Sequence, residues 1–210
     1  MATARQPVTL EEFLRLPEAK LALEFENGRI IQKVLPKGRH SIIQAAIVEL
    51  VNHFARPRRL AFAFPELRAT FAGHSYVPNV SIYRWDRIAR TPQGTVADDF
   101  LVAPDVAIEI VSPDQGVNAL VGRCLWYVAN CVGTALLVDP SDASVLVCRS
   151  NEIPRILGGK ESIHLGDSVP GLNLTVQDLF NAPGLLSVEP DTGERPWVNS
   201  RNNRLMVPSS

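Results

Sequence analysis

Apolar residues recur along this chain with two periods, and the changes between them mark its elements. Thr9 followed by Glu11 and Glu12 opens a short helix over 10–16, stopped at Pro17. Residues 21–34 read as a hairpin turning at Glu26-Asn27-Gly28-Arg29, because Asn-Gly is a strong two-residue hairpin signal. Glu24 lies on its entering strand. From Ser41 to Phe54, apolar residues such as Ile43, Ile47, Leu50 and Phe54 return at helical spacing. Strand character follows over 60–71, interrupted by Pro65-Glu66, and then over 76–83 and 104–111. The charged connection 84–103 is long for a compact domain. A helix from Val117 to about Cys131 carries Leu120, Cys124 and Val128 on its apolar stripe, with Arg123 and Tyr127 side by side on the next. Strands over 135–138 and 144–149 form a hairpin across Ser141-Asp142. Gly158-Gly159 is a turn, and Pro170-Gly171 precedes a last short helix over 175–180. This order predicts an α/β (α+β) fold, a central mixed sheet flanked by helices.

Two of these strands carry polar residues at telling places. Side chains alternate across a strand, so Val80 and Ile82 share one face, and Asn79 and Ser81 the other. In the second strand Val106, Ile108 and Ile110 face one way, and Asp105, Ala107, Glu109 and Val111 the opposite way. If the strands pair, Asn79 and Glu109 meet beside one site. A lone Glu between two isoleucines is costly to bury unless it is paired or bound to metal. Asp105 shares that face but lies roughly 13 Å along the strand from Glu109, too far to share a metal ion, and reads as structural.

Composition narrows the class. The chain has 210 residues, 46% hydrophobic and 20% charged, which suits one soluble domain with short tails. The net charge of -1 supplies no global field for nucleic acid, so any such binding must use local basic patches. Cys124, Cys131 and Cys148 have no metal-ligand spacing and read as buried free thiols in a reducing compartment. Neither a signal segment nor a membrane-length apolar run is visible, so a cytoplasmic location is expected. The composition beyond Pro183 shifts to Pro, Gly, Asn and Ser, which predicts a mobile tail over 184–210.

Several short motifs recur in an order that resembles one family. They are Leu-Glu-Phe-Glu-Asn-Gly-Arg (23–29), His40 before the long helix, Val-Pro-Asn-Val (77–80) and Ile-Glu-Ile-Val-Ser-Pro (108–113). The helix with Arg123 and Tyr127, Val-Asp-Pro (138–140) and Val-Pro-Gly (169–171) complete the set. Over residues 8–183 the chain resembles the Uma-type restriction-endonuclease family of the PD-(D/E)XK superfamily. The resemblance implies a nuclease fold, a divalent metal (Mg²⁺ or Mn²⁺) and DNA as substrate; a homodimer is expected by analogy with double-strand cutters. Carried across, the metal-binding Asp falls on Asn79 and the Glu on Glu109. The superfamily lysine falls on Val111; a helix lysine that stands in for it in this family falls on Arg123. The family's N-terminal Glu falls on Glu24. The implied catalytic set is thus Glu109, Arg123, Asn79 and Glu24, with Glu109 and Asn79 as metal ligands.

Phosphodiester hydrolysis of this kind needs a hard cation held by oxygens, a positioned water and compensation of charge on phosphorus. Asn79 offers a carbonyl oxygen but one negative charge fewer than Asp. Arg123 can steady phosphate yet stays protonated, so it cannot be a general base. Glu109 has a structural alternative, an ion pair with Arg123. Glu66 is a further candidate carboxylate, and His40 either contacts phosphate or caps its turn. His53, His74 and His164 read as surface or satisfied residues, Arg56, Arg58 and Arg59 as a solvated helix end, and Trp126 and Tyr127 as packing residues. Three functions remain open: an impaired endonuclease, a nuclease fold that binds nucleic acid or a partner without cutting, and a self-associating scaffold.

Overall fold

The computed structural model describes residues 8–17, 21–113 and 115–181; the tail expected over 184–210 lies outside them. Helix α1 (Leu10–Leu14) is closed by a capping box between Thr9 and Glu12. Strands β1 (Leu23–Glu26) and β2 (Arg29–Gln32) make the expected hairpin, in register Glu26↔Arg29. Asn27 and Gly28 take φ of 49° and 76°, the left-handed pair that a two-residue hairpin turn requires.

Helix α2 (Gly38–Ala55) begins three residues earlier than its apolar pattern, so His40 sits inside its first turn rather than before it. Strands β3 (Ala61–Pro65), β4 (Ala69–Phe71), β5 (His74–Tyr76) and β6 (Val80–Arg84) follow. The interruption expected at Pro65-Glu66 is present, and the strand expected over 76–83 is divided as well. Glu66, at φ 50°, breaks the run 60–71, and the Val77–Asn79 link breaks 76–83. After β7 (Val106–Ile110) come α3 (Val117–Ala129), β8 (Thr134–Asp139), β9 (Ser144–Arg149), β10 (Arg155–Gly158) and α4 (Val176–Asn181).

The divided strands build two sheets. The small one has the order β2-β1-β5-β4, the large one β10-β9-β8-β7-β6-β3. In the large sheet β7 and β8 run parallel, joined through α3, while its other neighbours are antiparallel. Val80, Ile82, Val106, Ile108, Ile110, Leu136 and Val138 pack with Ile43, Ile47 and Val51 of α2. Ala107, Val111, Ala135 and Leu137 pack instead with Leu120, Cys124 and Tyr127 of α3. The expected division of β7 into two faces holds, and it leaves Glu109 on the side of α3.

The connection from Trp85 to Asp105 is ordered by its own contacts. Ile88 and Phe100 bury against Tyr83, and Asp105 accepts from the Arg84 backbone N–H and the Arg87 guanidinium, at 2.8 and 2.7 Å. That is the structural role expected of Asp105. Of the cysteines, Cys124 and Cys148 are buried and Cys131 is exposed; all three are free thiols. No helix among the described residues is long and apolar enough to cross a membrane.

Candidate functional site

The β6–β7 register aligns Val80 with Ile108, so Asn79 falls beside Glu109 where the small sheet meets the large one. Four elements converge there. Glu24 comes from β1, Glu109 from β7, Arg123 and Tyr127 from α3, and Asn79 from the link between sheets. Both glutamates are almost fully buried, at 1% and 2% exposure.

Arg123 bridges them, one positive charge shared between two carboxyl groups. Its guanidinium grips Glu24 through two contacts, 3.1 and 2.8 Å, and lies 3.7 Å from Glu109. It also covers the Tyr76 ring at 4.5 Å. Tyr127 donates its hydroxyl to Glu109 at 2.8 Å, and the Val77 backbone N–H donates to Glu24 at 2.9 Å. Burial pushes the Glu109 carboxyl above its ordinary range, against the opposing pull of Arg123. Burial alone would lower the Arg123 pKa, but Glu109, Tyr127 and Glu24 carry it upward, so it remains a cation. Tyr127, raised chiefly by burial, remains a protonated donor.

A second network lies beside the first. Glu66 accepts from Gln44 at 2.9 Å and from the Asn79 amide nitrogen at 3.1 Å on one oxygen, and forms an ion pair with Lys33 through the other. Lys33 also donates to the Val77 carbonyl at 2.6 Å, and Gln44 to the Asn79 carbonyl at 2.8 Å. The Asn79 side-chain oxygen accepts from the Ile110 backbone N–H at 2.8 Å. These two bonds fix the amide: oxygen toward β7, NH₂ toward Glu66.

The expected set Glu24, Asn79, Glu109 and Arg123 is thus brought together, with Glu66 added. Tyr127 packs in the core as expected and also donates to Glu109. Lys33 and Gln44 were not visible as site residues. Gln44 alone left a signal, a polar residue one helical turn from His40. His40, 5% exposed, pairs its Nδ1 with Ser112 Oγ at 2.9 Å. Burial, then Lys33, lowers its pKa, with Glu66 opposing.

This arrangement does not fit a divalent cation. Asn79 turns NH₂ rather than oxygen toward the Glu66 carboxylate, and a guanidinium occupies the space between Glu24 and Glu109. Among the described residues, no group of three or more His, Cys, Asp or Glu side chains could hold a metal ion.

The profile of the Uma2 family, described as "Putative restriction endonuclease", matches residues 10–177. The chain belongs to the Uma2 family. A Uma2 relative of known structure supports the same placement. The crystal structure of a putative nuclease belonging to DUF820 from Anabaena variabilis is 39% identical, with a TM-score of 0.80 over 83% of this chain and 98% of that one. No curated protein matches this Uma2 chain. The fold is therefore that of a restriction-endonuclease-like protein.

Proposed function

We propose that this chain is a DNA-directed member of its nuclease family whose phosphodiester-hydrolysing centre is strongly attenuated. The observation that carries this reading is the direction of the Asn79 amide. At the place where the resemblance implies a metal-binding Asp, an NH₂ group donates to Glu66 and the oxygen is engaged by the Ile110 N–H. A donor aimed at a cation site repels the cation that a carboxylate would attract. What remains is a buried cluster in which the carboxyl groups are already engaged by Arg123 and Lys33.

A second reading, binding without cleavage, is favoured by the grip of Arg123 on both glutamates. At the position where the resemblance implies a helix lysine, a bidentate guanidinium clamps one carboxylate and lies within ion-pair distance of the other.

Plasmid cleavage with Mg²⁺ and then Mn²⁺ separates the two. The chain as it stands is expected to cut weakly at best. Asn79→Asp is expected to gain cleavage, Asn79→Asp with Arg123→Lys to gain more, and Asn79→Asp with Glu109→Ala to lose it. Silence from all of these variants, with DNA still bound, would establish binding alone. Silence without binding would remove DNA as the target.

A further inference from the structure

The chain leaves α2 through a turn that gathers basic side chains beside a tryptophan. The Leu60 N–H donates to the Ala55 carbonyl and the Arg59 N–H to the Arg56 carbonyl, each at 3.1 Å. This pairing closes a helix around a left-handed residue, most often glycine. Here that residue is Arg59, at φ 50°, so the turn carries a guanidinium where it could carry no side chain. Trp85 follows directly on β6, and its backbone N–H donates to the Leu60 carbonyl at 2.9 Å, which ties it to the same turn. A groove of about 680 Å³ is lined by His53, Arg56, Pro57, Arg59 and Trp85, with Glu49 as an opposing carboxylate.

The cations of this groove are uncommitted. Arg58 serves the helix end itself, donating to the Phe54 carbonyl at 2.7 Å and covering the Phe54 ring at 4.3 Å. Arg56 and Arg59 are exposed, and among the described residues neither guanidinium has a hydrogen bond or an ion pair. The ring, by contrast, is held. Trp85 is half-buried, packs against the cluster of Tyr83, Ile88 and Phe100, and has the Arg90 guanidinium 5.9 Å from its centroid. A fixed aromatic face flanked by free guanidinium groups suits a base that stacks and phosphates that pair by charge. A phosphate alone would make no use of the indole, and a purely apolar ligand none of the arginines. Stacking on Trp85 also needs a free base face, which an intact duplex keeps inside its own stack.

We propose that this groove binds single-stranded DNA, with a base on Trp85 and the neighbouring phosphates on Arg56 and Arg59; the identity of the strand rests on the nucleic-acid reading above. The groove is separate from the Glu24–Arg123–Glu109 cluster and requires no metal. Helix α2 links the two regions, because Gln44, which donates to Glu66, stands about 18 Å from Arg56 along the axis by the rise of an α-helix.

The test measures the anisotropy of a labelled thymidine oligonucleotide with the full chain, without divalent metal, beside an abasic strand of equal length and a duplex. The thymidine strand is expected to bind more tightly than either. Trp85→Leu is expected to weaken that strand about tenfold and to leave the abasic one unchanged. Arg59→Gly suits the left-handed turn, so it removes the charge and keeps the fold; the slope of log affinity against log salt is expected to become shallower by about 0.7. A thymidine strand bound unchanged by both variants, or a duplex bound as tightly as the strand, overturns the groove and leaves the nucleic-acid reading standing. If no strand binds, thymidine monophosphate is added and tryptophan fluorescence is read. Quenching that is lost in Trp85→Leu keeps the groove for a base and its phosphate and removes the nucleic-acid reading; no quenching removes both.

Discussion

Glu109 shows at the level of one side chain how burial and charge oppose each other in this cluster. Its carboxyl is buried against α3, with Tyr127 and Arg123 on the same oxygen. Burial raises its pKa in the folded chain above the ordinary 4.5, so the folded state holds that proton more tightly than the unfolded state. The resulting stability is fully present below 4.5 and is lost as pH climbs through the elevated folded value. Denaturant midpoints taken across that range are expected to fall in the native chain and to flatten in Glu109→Gln. An unchanged slope in the variant would mean that another group sets it. The presence of Glu109 on this face was readable from alternation along one strand. The direction of the Asn79 amide was not, because it is decided by the Ile110 N–H and Glu66, groups far from it in sequence.

Among the elements, those with a strong local period were legible and those fixed by distant partners were not. The 23–32 hairpin declared itself through Asn27-Gly28, and α3 through its apolar stripe. The start of α2 did not, because Lys37 makes no side-chain cap and leaves no start signal. Strand β10 was missed because only Leu157 of its four residues is buried, so it has no alternation to read. The division at Pro78 depends on two sheets competing for one stretch of chain, a tertiary matter. The edge of the large sheet carries a further device. Asn52 of α2 both donates to and accepts from the Ala63 backbone of β3, at 2.9 and 2.8 Å, and so stands in for a missing neighbouring strand. Asn52→Ala is expected to cost about 1–3 kcal/mol, by leaving these two groups unsatisfied. It should appear as a lower urea midpoint at unchanged m. An unshifted midpoint would mean that water replaces the amide at no loss.

Across the whole molecule, the polar cluster also serves as the joint between sheets. Glu24 belongs to the small sheet, Glu109 to the large one, and Arg123 reaches both from α3. Removing one member of a buried ion cluster strands the others, at a cost of about 3–5 kcal/mol. For Arg123→Ala, hydrogen exchange is expected to quicken first in β1 and β2, while β8 and β9 keep their protection longest. Uniform quickening would show a single cooperative unit without such a joint. The same joint gives these charges a structural task of their own: the residues hold two layers together whether or not they act on a substrate.

The long connection between β6 and β7 leaves and returns at one point, because Asp105 receives Arg84 and Arg87 together. Its tip, where Gly94 bonds back to Thr91, lies beyond that closure. The entropy of closing a loop grows only with the logarithm of its length. Related chains can therefore differ in length here while the strands on either side keep their register. This excursion is where the fold has latitude to acquire new surface.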